Sequence, residues 1–268
     1  MLLTAAPAAG APLDFAVKGD WGHATPAQAR VSAAICAVHD ARPLAFVVTT
    51  GDNFSRPGGV ATADNWGRPE RCLRTRRLDY VASWGNHDLG GDATRTVLGA
   101  PARADTLLRG PVRFVILDGN RPESAAGRRD LIRALARRDA PLTVVVVHQP
   151  IETAGIHRGG PARWKRIVTA GGATLVLQGH NHFYERIHQD GVTYVTTGGG
   201  GAVLTPCLLA RRGQAVCRPR HHFTLIRADE RRLALRARTP EGTRLDRVSI
   251  AARGGPDDPR RLAAAGVF

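Results

Sequence analysis

Lysine is nearly missing from this chain. Only Lys18 and Lys165 occur in 268 residues, yet Lys and Arg together number 38 against 23 acidic residues, so the formal charge of +15 rests almost wholly on arginine. Those arginines are spread along the sequence instead of gathering in one patch, and aromatic residues make up only 5% of it. A dedicated nucleic-acid partner is therefore not expected, because such surfaces need clustered cations and stacking rings. The charge still favours small anionic, phosphorylated substrates. No apolar run approaches the ~18 residues needed to span a bilayer, so no membrane span is expected.

Cysteine is also scarce. Cys36, Cys72, Cys207 and Cys217 are the four present, and none has the Cys-x-x-Cys spacing of a thiolate metal site. An even count points to disulfides and to a secreted or periplasmic protein. Cys207 and Cys217 flank a segment able to turn back on itself, which leaves Cys36 and Cys72 for each other. Residues 1–12 are small and apolar without a basic start, and read as the remnant of a signal or as a tail. Residues 13–252 read as one domain and 253–268 as a C-terminal tail.

What is present is a set of five polar clusters: Gly19-Asp20, Gly51-Asp52-Asn53, Gly85-Asn86-His87-Asp88, His148 and Gly179-His180-Asn181-His182. They combine carboxylates, carboxamides and imidazoles, a donor mixture suited to divalent transition metals. Each closely follows an apolar run that reads as a strand: Leu13 to Val17, Ala45 to Thr49, Asp79 to Ser83, Thr143 to Val147 and Ala173 to Leu177. Helical periodicity intervenes, from Pro26 to about His39 after the Thr25-Pro26 start signal, from Pro122 to Arg138, and from Pro161 to Ala170. Strand, polar cluster, helix, strand is the pattern of an α/β sheet whose ligands collect beyond the carboxyl ends of its strands. Taken singly, each cluster is an ordinary turn; independent turns give no reason for four histidines to fall just past strand ends.

Ser55 to Arg77 reads as an irregular excursion anchored by Trp66, and Val112 to Leu117 as a further strand. From about Val192 the chain is mostly β, with strands at Val192 to Thr196, Phe223 to Arg227, Leu233 to Arg238 and Arg244 to Ile250, expected to form a second sheet within the same domain.

With these motifs in place, the chain resembles the calcineurin-like metallophosphoesterases, and among them the purple acid phosphatases and their bacterial relatives. The resemblance rests on Gly19-Asp20-Trp21-Gly22, Gly51-Asp52-Asn53-Phe54, Gly85-Asn86-His87-Asp88, Val147-His148-Gln149-Pro150 and the run Gly179 to Arg186. It implies an α/β fold, a four-layer α/β/β/α double β-sandwich with a dinuclear centre at the C-terminal ends of strands. It also implies two divalent transition-metal ions (Mn, Fe or Zn), with Asp52 bridging, Asp20 and His182 on the first ion, and Asn86, His148 and His180 on the second. His87 and His157 would face the substrate, and Asp88 would support the loop or His87. The implied activity is phosphomonoester hydrolysis by metal-activated water. The alternatives are a phosphodiesterase acting on nucleotides or lipid head groups, and a non-catalytic metal-binding scaffold.

Two positions depart from the family pattern. Gly22 stands where many members carry a histidine, and Ser55 where purple acid phosphatases carry a tyrosine. The first ion thus lacks one protein ligand, a place open to His23, Ser55 or water, with water expected because catalytic sites keep an open position.

Overall fold

Runs of branched and aromatic residues with both faces buried set the central strands of this molecule, as they do wherever a sheet is covered on two sides. The computed structural model describes residues 12–101, 104–120, 124–137, 139–157, 159–208 and 210–253. Its strands are β1 (Leu13–Lys18), β2 (Phe46–Thr49), β3 (Asp79–Ala82), β4 (Ala104–Arg109), β5 (Val112–Leu117), β6 (Leu142–Val146) and β7 (Leu175–Gln178), followed by β8 (Tyr184–Gln189), β9 (Val192–Thr197), β10 (Gln214–Arg218), β11 (Phe223–Asp229), β12 (Arg232–Arg238) and β13 (Arg244–Ala251). The helices are α1 (Pro26–Ala41), α2 (Arg71–Thr75), α3 (Ala93–Thr96), α4 (Ala125–Ala136) and α5 (Ala162–Ala170).

Two sheets result, in the orders β13-β12-β11-β1-β2-β3 and β10-β8-β9-β7-β6-β5-β4. Successive side chains of a strand point to opposite faces, and here that alternation sorts the residues into layers. Phe15, Val17, Phe46 and Val48 from one sheet meet Phe114, Val144, Val146 and Leu177 from the other in a central core. Their neighbours turn outward: Ala16 and Val47 pack with Val31 and Ile35 of α1, while Val145 and Val147 pack with Leu135 of α4 and Ile167 of α5. The outcome is the expected α/β/β/α stack. Phe15 and Phe46 stack at 5.3 Å, and Phe114 meets both edge-on from the opposite sheet at 5.4 and 5.6 Å.

Local signals hold where they are strong. Thr25 caps α1 by accepting a hydrogen bond from the Gln28 N–H, Pro26 opens the helix, and the chain leaves it in extended geometry at Arg42, just before Pro43. Trp66 packs against Trp21, Phe54 and Tyr80, anchoring the excursion that contains a five-residue helical turn at Ala63–Gly67 and then α2. Both disulfides form, Cys36 with Cys72 and Cys207 with Cys217, across Cα separations of 6.2 and 6.1 Å.

One expectation is corrected. The β-rich region from Val192 makes no sheet of its own: β9 inserts between β7 and β8, and β11 to β13 extend the sheet of β1. Strand β1 pairs in parallel with β2 on one side and leaves its other edge for β11, which covers it antiparallel from Leu13↔Ala228 to Val17↔Thr224. An uncovered edge is a liability, and pairing removes it. The helix expected from Pro122 begins at Ala125 behind a Ser124 cap, residues 121–123 lying outside the description. The expectations for 1–12 and 253–268 also fall almost entirely outside the described residues. Among those described, no helix is long and apolar enough to cross a membrane.

Candidate metal centre

Strands β1, β2 and β3 run parallel in one sheet and β6 and β7 run parallel in the other, so five loops leave the same rim of the sandwich. Backbone hydrogen bonds lace these loops together: the Asp20 N–H donates to Gly51 O (3.0 Å), Trp21 N–H to Asp52 O (3.1 Å) and Gly179 N–H to His148 O (2.9 Å). The Gly198 to Gly201 run is tied in as well, with Gly200 N–H on Gly19 O and Ala202 N–H on Asp20 O, both at 2.9 Å. Asp20, Asp52 and His180 have φ of 57°, 51° and 68°. Such left-handed geometry is uncommon outside glycine and is sustained where the surroundings fix it, frequently at functional sites. Gly85 is needed for close approach, since a Cβ there would lie 2.1 Å from Asp52 Oδ1.

All six expected ligands converge. Asp52 Oδ2 lies 3.4 Å from His148 Nε2, which lies 3.0 Å from Asn86 Oδ1 and 3.1 Å from His180 Nδ1. Donor atoms of Asp52, His148 and His180 all fall within 4.8 Å of one another. Beside them Asp20 accepts from the His180 N–H at 3.1 Å and faces His182 Nε2 at 3.4 Å. Asp20, Asp52 and His148 are buried, whereas Asn86 and His87 are exposed at the mouth.

The tautomers are set by backbone carbonyls, which only accept. His148 Nδ1–H donates to Thr50 O at 2.9 Å and His182 Nδ1–H to Val203 O at 2.7 Å. Both Nε2 lone pairs are thereby aimed at carboxylate oxygens, an arrangement that is repulsive unless positive charge lies between. The titration behaviour agrees. Burial works against a charged His148, but Asp52 and Asp20 overcome it and push its pKa up to about 9. Burial and then the neighbouring His148 hold His180 down to about 3. Burial raises Asp20, whereas at Asp52 the facing His148 outweighs burial and lowers the carboxyl. Buried carboxylates, a carboxamide oxygen and imidazole lone pairs with their outer nitrogens already satisfied fit a divalent transition-metal cation.

The remaining expected residues lie around this cage. His87 has its backbone N–H on Asp52 Oδ1 at 2.9 Å. The His157 ring sits 4.1 Å from that of His180, its loop held by Asn181, which accepts from His157 N–H (3.1 Å) and donates to His157 O (2.9 Å). Asp88 is fully buried and accepts from the backbone N–H groups of Asn53, Phe54 and Gly85 at 2.8–3.0 Å, so it joins the β2 and β3 loops and does not face the open site. Ser55 donates its hydroxyl to Asp52 O at 3.2 Å. Burial drops His23 to about 4, and its ring stands 6.2 Å from that of His182. The supporting carbonyls of Thr50 and Val203 were not foreseen. Thr50 adjoins a motif and was findable; Val203 lies 21 residues beyond His182 and acts through its backbone, which leaves no side-chain signal.

A model of the family described as calcineurin-like phosphoesterase matches residues 13–184. Among solved structures, GAP50 of Plasmodium, described as the anchor in the inner membrane complex, aligns with a TM-score of 0.75 at 15% identity, covering 96% of this chain and 94% of that one. The purple acid phosphatase PPD1 from yellow lupin seeds aligns at 0.79 and 17% identity, over 96% of this chain and 56% of the lupin chain. A structure of PhoD aligns at 0.57 and 11% identity, covering 97% and 77%. At such identities these likenesses establish the fold alone. No curated protein matches the sequence significantly.

Proposed function

The chain belongs to the calcineurin-like phosphoesterase family, and from that premise we propose that it hydrolyses phosphomonoesters with two divalent transition-metal ions, Mn, Fe or Zn, and water as the nucleophile. In this reading Asp20, Asp52 and His182 would hold the first ion, and Asp52, Asn86, His148 and His180 would hold the second. Such a pair, when bound, polarises a phosphoryl oxygen and acidifies a water molecule. The observation that supports this most is the approach of Asp52, His148 and His180 donors to within 4.8 Å beside the Asp20–His182 pair.

The protein groups around the phosphate divide the remaining work. His87, at the exposed mouth with its backbone pinned to Asp52, orients the phosphate or gives a proton to the departing alkoxide or phenoxide oxygen. His157, held against His180, steadies another phosphate oxygen. Asp88 is a positioning residue that keeps the Asp52 and Asn86 loops in register through three backbone N–H groups. The Asp88→Asn variant is expected to lose roughly 10- to 100-fold in activity, as supporting groups of metal sites do.

Both disulfides support assignment to an oxidising compartment, secreted or periplasmic. The catalytic domain is assigned to residues 13–252. With serine at position 55 no tyrosinate ligand is available, so the loaded protein should lack an intense visible charge-transfer band.

Turnover of p-nitrophenyl phosphate and bis-p-nitrophenyl phosphate, each with Mn, Fe or Zn supplied, tests the reading alongside elemental analysis. The expected result is two ions per chain and faster monoester cleavage. Faster diester cleavage would instead assign a phosphodiesterase acting on nucleotides or lipid head groups. The likeness to GAP50, described as an anchor, favours one further reading, a non-catalytic scaffold. One ion or fewer per chain, with no turnover under any metal, would establish it.

A further inference from the structure

The first metal position, beside Asp20 and His182, has three neighbours with the chemistry or the location to complete it. Gly22 is excluded sterically: a Cβ there would lie 2.0 Å from Asn53 O and 2.6 Å from Phe54 Cα, so no side chain can grow at that position without moving the Asp52 loop. Ser55 gives its hydroxyl hydrogen to Asp52 O and offers only a neutral hydroxyl oxygen, a poorer donor to such an ion than imidazole. His23 differs from both. Its Nε2 is buried and has no hydrogen-bond partner among the described residues. An orphaned buried nitrogen costs about 1–3 kcal/mol, so one that persists in a centre built of imidazoles calls for a reason.

The backbone around His23 is held from both sides. Its N–H donates to Trp21 O at 2.7 Å, Ala24 follows at φ 57° with its N–H on Gln28 Oε1, and Thr25 donates its hydroxyl to Gly201 O at 2.7 Å while capping α1. This turn presents the His23 ring between two others, 6.2 Å from His182 and 6.4 Å from His87, both at near edge-to-face angles of 71° and 62°. Of the two, His182 is the proposed ligand, and its 6.2 Å spacing from His23 leaves room for one cation between the rings, since an imidazole holds a metal about 2 Å from its nearest nitrogen.

Resting on the two-metal reading above, we propose that His23 Nε2 is the protein ligand that completes the first metal position, together with Asp20, Asp52 and His182. The first loop then supplies two donors through Asp-x-x-His spacing, in place of the side chain that cannot exist at Gly22. The ring is supplied to the ion from the turn that leads into α1.

The test is metal binding to the full chain, read without turnover. Protein stripped with chelator is titrated with Zn(II), following stoichiometry by elemental analysis and affinity by calorimetry, for wild type, His23→Ala, His23→Gln and His148→Ala. Wild type should take two ions. Both His23 variants should keep the Asn86-His148-His180 site at unchanged affinity and weaken the other at least tenfold, with added imidazole restoring His23→Ala. His148→Ala should weaken the opposite site. Two ions bound at wild-type affinity in both His23 variants would overturn the proposal and leave the two-metal reading standing. A wild type that binds fewer than two ions would overturn that reading itself. Should the variants fail to fold, the ring ¹⁵N signals of wild type decide: His23 Nε2 must move on Zn(II) addition together with His182, and an unmoved His23 signal refutes the assignment.

Discussion

The two sheets bring different chemistry to the centre we assign. Loops after β1, β2 and β3 of the six-stranded sheet carry the oxygen donors Asp20, Asp52 and Asn86, with His23 the one nitrogen donor proposed from that side, while loops after β6 and β7 of the seven-stranded sheet carry the nitrogen donors His148, His180 and His182. They are also aimed by different means. The aspartates have short side chains and are aimed by backbone, both lying at positive φ. Two of the histidines are aimed by carbonyls that fix their tautomers, Thr50 O for His148 and Val203 O for His182. Thr50 belongs to the sheet that supplies oxygen, and the His180 N–H of the other sheet donates to Asp20 Oδ1, so each half of the sandwich helps orient the donors of the other. Neither sheet contains a metal site alone, and metal binding is therefore coupled to closure of the sandwich.

The strongest way to break this comparison is to remove an oxygen donor without changing its shape. Asp52→Asn should lower kcat/KM for p-nitrophenyl phosphate by at least about a thousandfold, several kcal/mol of transition-state stabilisation. Elemental analysis should show metal lost from both positions. If only one site emptied, Asp52 would serve one ion and the sheets would meet differently.

A second probe acts where the sheets touch without metal. Buried His222 joins Thr197 of β9 at 3.0 Å, and Thr197 lies 3.3 Å from Thr224 of β11. Burial holds His222 down to about 4, against an ordinary value of 6.5. Between those pH values the unfolded chain takes up a proton that the folded chain refuses. This contribution is thus complete above pH 6.5 and declines by about 3 kcal/mol as pH falls through the window. Urea unfolding at pH 7 and pH 4.5 should show a smaller acid loss in His222→Gln than in wild type.

Next in size is removal of the metal. A ligand that binds only the folded chain adds about 2.7 kcal/mol at a hundred times its Kd, so chelation should lower Tm by several degrees. The shift should vanish in Asp52→Asn, whereas an equal shift in that variant would mean the chelator acts elsewhere.

The smallest effect is expected at the edge of the sandwich, where Tyr184 and Arg186 of β8 donate to Asp246 of β13 at 2.7 and 2.6 Å. Asp246→Ala should cost about 2 kcal/mol in urea unfolding by stranding the Tyr184 hydroxyl, and should leave metal affinity untouched. Loss of metal there would mean that the sheets are held as one unit throughout.

Much of this molecule was legible before its fold was known. The five motif-bearing strands stand out because buried parallel strands read as unbroken apolar runs, and α1 because its cap and proline are local signals. Strand β4 was not legible, since an exposed edge carries no apolar run, and neither was β8, whose Tyr-Glu-Arg start reads as the end of a loop motif. The same holds for His23. Sequence alone favoured water over His23 and Ser55, and what distinguishes His23 is a buried nitrogen with no hydrogen-bond partner among the described residues.

The sequence by itself determined the chemical inventory and its order: which side chains carry oxygen or nitrogen donors, and that each follows a strand. Those are local properties, written in residue type and in periods of two and 3.6. Only the tertiary structure decided which strands share a sheet, that the oxygen donors and the motif histidines arrive from opposite layers, and which carbonyls fix the His148 and His182 imidazoles. These depend on pairing between residues as far apart as Leu13 and Ala228. Such pairing is selected by burial of whole faces and edges, a property of the assembled sandwich that no single segment encodes.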